Sequence, residues 1–366
     1  MKFTVTRESL LAPLAAVVGV IEKKQTMPVL SNVLLEASGG SMTITGTDLE
    51  VQLVARLPVD AEGPFRVTVP ARKWLDIIRL LPDASSIQMQ IREDKLLIRS
   101  GSSRYTLNTL PAEGYPAFDS GQFGQTISLP AQLLRKAIDK TAFAIAQIDV
   151  RYYLKGLLID FEGLTLRTVA SDGHRLAVFQ DTVAESFGES LQIIVPRKGV
   201  QELHRLLGES EDQVTIEIAH NTVRLSMANI CFSSKLIEGR YPDYQKVMPK
   251  EISSTFLLDR DTFKGAISRV AVLTSEKQKS ISFEGSGCEI VLACQNPEHD
   301  ESEERLMAEG EGGSVSVGFN AAYLLEAINH LEAEDIRLSF TPDGNSCLLE
   351  GLGDQRFKCV VMPMRL

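Results

Sequence analysis

The chain has 366 residues, of which 44% are hydrophobic and 23% charged, with a formal net charge of −10. These values are ordinary for a soluble globular protein of two or three domains. The longest apolar run, residues 10–21, is too short to span a bilayer, and residues 1–6 alternate like a strand rather than a signal peptide. We therefore expect a cytoplasmic protein that does not contact membranes.

Cysteine usage agrees with that compartment. Five cysteines are an odd number, and none of them has paired metal-ligand spacing. This pattern is typical of buried thiols in a reducing cytoplasm. The sequence thus predicts no metal and no cofactor.

The first third of the chain contains one element pattern twice. A strand at 2–6 and a helix at about 9–20 are followed by three alternating strands, over 32–37, 41–45 and 50–57. A strand at 65–69 and a helix at 71–81 then lead into three further strands, over 86–91, 95–99 and 104–108. Two βαβββ halves therefore form a unit of α+β class, with strands too short and regular for a parallel sheet.

This unit is repeated along the chain. The segment Val69-Pro70-Ala71-Arg72-Lys73 returns as Val195-Pro196-Arg197-Lys198-Gly199, an offset of 195 − 69 = 126 residues. Tyr115-Pro116 and Tyr241-Pro242 show the same offset, 241 − 115 = 126. A fainter third copy begins at Val317. The sequence predicts a triplicated unit with domains 1–120, 121–246 and 247–366.

Positive charge is concentrated on the predicted helices. Four of the six have a net charge of +2, at 71–81, 130–142, 196–207 and 260–270. The first helix is neutral but is followed by Lys23-Lys24, and the last, 319–332, carries −2. The acidic chain average argues against nucleic acid, yet attraction to phosphates depends on local charge. A basic surface helix is more often a solvated face than a DNA-binding site. Because the positive charge recurs on equivalent helices of the repeats, however, the pattern favours one positively charged face of an assembly.

Seven segments, taken in order, resemble the bacterial DNA sliding clamps, the beta subunit of DNA polymerase III. They are distributed along the chain from Met1 to Leu366, at 1–5, 46–50, 69–73, 149–154, 171–178, 195–200 and 360–366. The resemblance implies three clamp domains that form half of a six-domain ring, with sheets outside and helices inside. It also implies a non-catalytic processivity factor that encircles duplex DNA without sequence specificity, as a head-to-tail homodimer.

Two sets of site residues follow from the resemblance. The family's DNA-contacting positions, together with the basic helices, correspond to Lys24, Arg72, Lys136, Arg151, Tyr152, Tyr153 and Lys198. Ile148 stands where the family often has a polar residue. The partner-peptide groove, which serves the replicative polymerase, the clamp loader and translesion and repair proteins through short linear motifs, corresponds to Leu154, Ser171, Gly173, His174, Arg175, Leu176, Pro242, Lys246, Val247, Val360, Met362, Pro363, Met364 and Arg365.

The ring contact is expected between the first and third repeats of two chains. An unpaired strand edge at 104–107, with Tyr105 and Leu107, is one candidate surface. The helix end with Val272 and Leu273 is the other. The acidic residues Glu298, Glu301, Glu303 and Glu304 are candidate ion-pair partners across the contact.

Two other functions stay open on the residues alone. Asp172 and His174 could form an acid/base pair in an enzyme, although no nucleophile, metal spacing or phosphate-binding glycine motif accompanies them. A monomeric repeat scaffold without a DNA role is the second alternative. Molecular mass in solution distinguishes it from a ring.

Overall fold

The computed structural model describes residues 1–22, 27–118, 121–208, 212–275 and 279–364, where short antiparallel strands alternate with six α-helices. The first repeat contains β1 (Lys2–Thr6), α1 (Arg7–Gly19), β2 (Asn32–Ser38), β3 (Ser41–Thr47), β4 (Val51–Pro58), β5 (Asp60–Ala61), β6 (Phe65–Pro70), α2 (Ala71–Leu80), β7 (Ser86–Arg92), β8 (Lys95–Ser100) and β9 (Ser103–Asn108).

The second and third repeats have the same order of helices and main strands, but the second has no counterpart of the short strand β5. The second contains β10 (Gln125–Pro130), α3 (Ala131–Thr141), β11 (Gly156–Glu162), β12 (Thr165–Ser171), β13 (Arg175–Thr182), β14 (Leu191–Pro196), α4 (Arg197–Leu207), β15 (Gln213–Ile218), β16 (Thr222–Met227) and β17 (Ile230–Lys235). The third contains β18 (Ser254–Asp259), α5 (Arg260–Val270), β19 (Ser280–Ser286), β20 (Glu289–Gln295), β21 (Glu301–Met307), β22 (Glu309–Gly312), β23 (Val315–Asn320), α6 (Ala321–Asn329), β24 (Asp335–Phe340), β25 (Cys347–Gly351) and β26 (Asp354–Val361).

The predicted α+β class and the paired βαβββ halves are confirmed. Helix boundaries differ from the prediction by a few residues, each for a local reason. Helix α1 begins at Arg7 because the Thr6 hydroxyl accepts a hydrogen bond from the Ser9 amide as an N-cap. The predicted helix 130–142 is shorter, since strand β10 occupies its first residue and a 3-10 turn its last. The short strands β5 and β22 were not predicted.

Residues 1–134 and 198–236 form one compact unit. It contains a five-stranded sheet, ordered β5-β1-β7-β8-β9, and an eight-stranded sheet, ordered β10-β15-β16-β17-β4-β3-β2-β6. Strand β17 pairs with β4, from Ile230 opposite Ala55 to Ser234 opposite Val51. Because this pairing joins strands of the first and second repeats, the compact unit does not coincide with a repeat.

Residues 135–197 and 237–366 form the other compact unit. Its nine-stranded sheet is ordered β14-β11-β12-β13-β26-β25-β24-β18-β22, and its four-stranded sheet β21-β20-β19-β23. Strand β13 pairs with β26, which again joins two repeats. Phe256, Phe283, Phe319 and Phe340 are fully buried and contact one another, with ring centroids from 5.1 to 6.3 Å apart.

Gly156 occupies a position in β11 that has no room for a side chain. A Cβ there would lie 2.6 Å from Ile194 Cγ2 and 2.8 Å from the Val195 carbonyl oxygen. We expect Gly156→Ala to lower the free energy of unfolding by about 1–3 kcal/mol, because the strand pair must separate. Denaturant titration tests this, with Gly124→Ala as the control because Gly124 has open space around it. Equal stability of the two variants would contradict the packing argument.

Candidate partner groove and DNA-facing residues

A hydrophobic cluster lies on one face of the nine-stranded sheet. Its buried members come from six strands and are Leu158, Val169, Leu176, Val178, Ile194, Leu348 and Val360. Partly buried side chains pack over them, namely Tyr153, Ile237, Tyr241, Tyr244, Val247 and Met248. We call these two layers together the groove cluster.

The groove cluster brings together several residues that were predicted from distant stretches. Leu176, Val247 and Val360 belong to it. Pro242 and Lys246 lie exposed on the segment that covers the cluster, and Lys246 pairs with Asp243 at 3.4 Å. Leu154 is also buried, with its amide bonded to the Arg151 carbonyl oxygen at 3.0 Å.

Sequence reasoning missed much of the aromatic layer. Tyr241 served only as a landmark of the repeat, and Tyr244 was not considered. Two tyrosines three residues apart beside Val247 and Met248 were the available signal, because that spacing places them on one side of a turn. Leu348 could not have been found this way, since only the strand register brings it beside Val360.

The turn at 171–175 has an internally bonded geometry. The Asp172 carboxylate accepts hydrogen bonds from the amides of His174 and Arg175, at 2.9 and 3.0 Å. The Ser171 hydroxyl donates to the Arg175 carbonyl oxygen at 2.7 Å and accepts from the Gly173 amide at 3.1 Å. Gly173 has φ +86°, and a Cβ there would meet Arg151 Nη2 at 2.5 Å. The positive φ therefore favours glycine at this position.

Arg175 is buried and engaged on every side. Its guanidinium donates to Asp172 Oδ2 at 3.1 Å, to the Phe143 carbonyl oxygen at 2.8 Å and to Glu326. The rings of Phe143 and Tyr323 cover its two faces, with centroids 5.1 and 4.5 Å from Cζ. Such stacking suits the planar, weakly hydrated guanidinium.

The aromatic stack continues in both directions from Arg175. His174 stacks on Tyr323 with ring centroids 6.2 Å apart, and His330 stacks on Phe143 at 4.4 Å. Burial, and then the nearby Lys140 charge, lower the pKa of His330. Asp172 and His174 thus take structural positions in the turn, because the Asp172 carboxylate is committed to backbone amides and to Arg175.

The C-terminal segment is held by backbone hydrogen bonds on both of its sides. The Met362 amide donates to the His174 carbonyl oxygen at 2.8 Å, and Met364 exchanges two backbone hydrogen bonds with Gly318, at 2.7 and 3.2 Å. Pro363 is half-buried between them. Met362 and Met364 stay exposed, and Arg365 lies outside the described residues.

The basic residues predicted to face DNA are mostly engaged within the protein. Lys198 bonds to Glu22 and Asp48, and these two carboxylates raise its pKa against the opposing effect of burial. Lys136 pairs with Glu332 at 3.0 Å. The Arg72 guanidinium donates to the Ile21 carbonyl oxygen at 2.8 Å but its side chain remains exposed. Lys24 lies outside the described residues.

The loop before β11 exposes apolar side chains beside one charged pair. Ile148 and Val150 are 97% and 98% exposed. Asp149 lies between these two residues and Arg151 follows them. The Arg151 guanidinium donates two hydrogen bonds to the Asp149 carboxylate, at 3.0 and 2.8 Å, and these bonds lower the pKa of Asp149 to about 2. The two tyrosines differ in exposure, because Tyr152 is exposed whereas Tyr153 packs against the groove cluster.

The residues predicted for the ring contact lie at surface positions. Strand β9 is an edge of the five-stranded sheet, and its Tyr105 and Leu107 are half-buried. In the other unit Val272 is 76% exposed and Leu273 half-buried. Two of the four acidic candidates already form ion pairs in the same chain, because Glu304 pairs with Arg269 at 2.7 Å and Glu303 with Arg305 at 2.9 Å.

Two negative findings hold for the described ranges. No helix there is long and apolar enough to cross a membrane. In the same ranges, no three side chains among His, Cys, Asp and Glu are placed to hold a metal ion.

Comparisons with known proteins agree over the whole chain. Three family models match in order, the N-terminal, central and C-terminal domains of the DNA polymerase III beta subunit, at residues 1–119, 128–243 and 245–365. The beta sliding clamps of Pseudomonas putida and Escherichia coli K12 are 42% and 41% identical, with all of both chains covered.

Solved structures give the same result. A DNA polymerase sliding clamp from Pseudomonas aeruginosa, solved with a ligand, superposes with a TM-score of 0.96 at 43% identity and full coverage of both chains. Another structure of that clamp, bound to griselimycin, has the same TM-score and identity over the same full coverage. The enzyme alternative is therefore excluded, because clamps of this family are non-catalytic processivity factors of DNA polymerase III. The chain belongs to the DNA polymerase III beta subunit family, the beta sliding clamps.

Proposed function

We propose that two copies of this chain close head to tail into a six-domain ring around duplex DNA in the cytoplasm. The ring tethers the replicative polymerase for processive synthesis, and its groove cluster receives short linear motifs of polymerases, the clamp loader and translesion and repair proteins. Domains 1–120, 121–246 and 247–366 supply half of the ring. Family membership and the triplicated βαβββ pairs support this proposal.

The groove cluster is the observation that carries the partner-binding part. Its lower layer is fully apolar, and tyrosine and methionine side chains that can adjust to different peptides lie over it. A peptide that buries two or three apolar side chains there gains about 2 kcal/mol for each. After the ordering costs are subtracted, an affinity in the micromolar range is expected.

DNA binding by such a ring depends on topology more than on strong contacts. The ion pairs of Lys136 and Lys198 reduce the charge that these side chains offer to phosphates. Exposed Arg72 and Tyr152 are freer to approach the duplex. We therefore expect association that is weak, salt-sensitive and blind to sequence until the ring is closed.

We expect the triple variant Arg72→Gln, Lys136→Gln, Lys198→Gln to leave circular DNA faster than the unaltered ring, with a shallower salt dependence. Each lost phosphate contact lowers the slope of log affinity against log salt by about 0.9. Glutamine is preferable to glutamate at Lys198, because a third carboxylate beside Glu22 and Asp48 would disturb the fold. The measurement is retention on nicked circular DNA after loading, at several salt concentrations.

The control removes the same charge from strands instead of helices, as Arg56→Gln, Arg66→Gln, Lys95→Gln. That variant should be retained like the unaltered ring. Linearising the DNA should release all three proteins, since encirclement holds them. Equal retention of both triple variants at every salt concentration would refute the role of the helices, and retention on linear DNA would refute the ring.

We expect Val272→Ala with Leu273→Ala to shift the sedimentation mass from dimer toward monomer. Burial of these two apolar side chains in the ring contact should stabilise the dimer more than surface ion pairs do, because each surface ion pair is worth at most about 1 kcal/mol. Leu352→Ala is the control, because this residue is also exposed and apolar but lies outside the proposed contact. A variant that stays dimeric at nanomolar concentration would show that the interface lies elsewhere. A monomeric unaltered protein would favour the scaffold function instead.

A further inference from the structure

The face that bears the groove cluster continues beyond it. A row of directly opposed residues crosses six neighbouring strands, from β13 through β26, β25, β24 and β18 to β22. Its members, in order, are Leu176, Val360, Leu348, Ser339, Thr255 and Glu311. Directly opposed residues project to the same face of a sheet. The first three belong to the groove cluster, and the last three extend the same surface away from it.

A cavity of about 740 Å³ lies over the far half of this row. Leu348 lines this cavity and also belongs to the groove cluster, so the two are adjacent. The chain joins them as well, since Val247 and Met248 cover the cluster and the following Pro249 and Ile252 line the cavity. We call this space the acidic cavity, because Glu309, Glu311 and Glu350 line it.

Carboxylates dominate the polar lining of the acidic cavity. Glu309 and Glu311, both exposed on the edge strand β22, have no ion pair with any residue in the described ranges. Glu350 is neutralised by Lys358 at 2.9 Å, which leaves Arg337 as the opposing charge on the lining. The lining is therefore mixed, with apolar Ile252, Leu257 and Leu348 and a net negative edge at the end away from the groove cluster.

Distance sets the length of an occupant that would use both surfaces. From Val360 to Glu311 the row crosses four strand spacings, or roughly 19 Å at about 4.8 Å each. An extended peptide covers this span with about six residues. A partner peptide that ends its apolar contacts at Val360 therefore reaches Glu309 and Glu311 with a flanking segment of about six residues.

We propose that the acidic cavity binds the flanking segment of the same partner peptide, through a lysine or arginine about six residues from its apolar core. This rests on the proposed function of the groove cluster. Continuity of the sheet face favours a flank over an unrelated ligand, and the unpaired carboxylates favour a cation. The cavity would then distinguish between partners whose apolar motifs are alike.

The test is a charge exchange with matched peptides. The core peptide is the shortest polymerase segment that the unaltered protein binds in an anisotropy titration. Six-residue flanks of glycine and serine, ending in two lysines or in two glutamates, are added at either end. We expect the lysine flank, at one of the two ends, to bind about fivefold more tightly than the glutamate flank at that end.

On the double variant Glu309→Lys, Glu311→Lys this preference should reverse, while the core peptide alone binds as before. The matched control Glu185→Lys, Glu189→Lys changes two exposed carboxylates outside the cavity, and should keep the lysine preference. Persistence of the preference in the double variant, or the same change in the control, would show general charge attraction and overturn the proposal.

Two further outcomes separate the possible failures. If no core peptide binds at all, the proposed function of the groove cluster fails. If the core binds but neither flank alters its affinity, the groove is right and the acidic cavity has no part in partner binding. A lysine flank that binds equally well without the core would show an independent site, which also contradicts the proposal.

Discussion

Replacing Arg175 with methionine is expected to remove both partner binding and a large part of the stability of the compact unit that contains it. Methionine preserves much of the volume between the rings of Phe143 and Tyr323 but leaves Asp172 and Glu326 without their cation. Breaking a buried pair by removing one partner costs about 3–5 kcal/mol. Because Glu326 is 48% exposed and Asp172 keeps its two backbone amides, we expect a loss at or below the lower end of that range in the free energy of unfolding.

Binding should fail for a related reason. Arg175 orders Asp172, and Asp172 holds the amides of the turn whose His174 carbonyl oxygen receives the Met362 amide. Without that turn, neither Leu176 nor the C-terminal segment keeps its place beside the cluster. We therefore expect no measurable binding of the core peptide below about 100 μM, since most of the roughly 2 kcal/mol gained for each apolar side chain would be lost.

Arg205→Met provides the matched control. Arg205 also forms a close pair, with Glu202 at 2.7 Å, but the pair is partly exposed on helix α4. Its loss should change stability by no more than about 1 kcal/mol and leave peptide affinity unchanged. Chemical denaturation and anisotropy titration measure the two effects. A stable, peptide-binding Arg175→Met protein would show that the turn is held by its backbone hydrogen bonds alone.

Local sequence patterns predicted most of the elements. Alternation and helical spacing located the strands and helices of both βαβββ halves, and the 126-residue offsets revealed the repetition. Two short strands were not predicted, because β5 has only two residues, Asp60 and Ala61, and β22 consists of glutamates and glycines. Neither carries an alternating apolar signal, and each forms only because a longer strand offers a free edge.

Pairings between distant strands were beyond the sequence pattern. Nothing local in Val178 or Lys358 indicates that they oppose each other in one sheet. The ion pairs of Lys136 and Lys198 were missed for the same reason, because Glu332 and Glu22 lie 196 and 176 residues away. Counting the charges on each helix gave the sign of its net charge. The charge that remains free for a ligand depends on tertiary contacts, which the count does not include.

Deleting Met362–Leu366 is expected to abolish partner binding while the fold and the dimer remain. The described part of this segment follows the last strand, β26, and its backbone makes three hydrogen bonds, one to His174 and two to Gly318. Exposed backbone bonds of this kind contribute modestly, about 1 kcal/mol each, so unfolding should shift by no more than roughly 3 kcal/mol.

The peptide, in contrast, is expected to lose its contacts with the two exposed methionine side chains of this segment. Burying each is worth about 1.5–3 kcal/mol, so affinity should fall at least 100-fold. The point variant Met362→Ala, with the chain otherwise complete, should lose about tenfold, which separates the side-chain contribution from the loss of backbone. Sedimentation of the truncated protein should still give the dimer mass, because the proposed ring contact involves other residues.

Comparison with Arg175→Met makes the deletion informative. Both changes should end partner binding, but only the arginine replacement should lower stability through a buried, unpaired charge. Met362 and Met364 lie on a segment held by backbone hydrogen bonds at two points of the same compact unit, so we expect their removal to leave the base of the groove cluster folded. If the truncated protein bound the core peptide with unchanged affinity, partners would have to dock on another surface, and the groove cluster would be ordinary sheet packing.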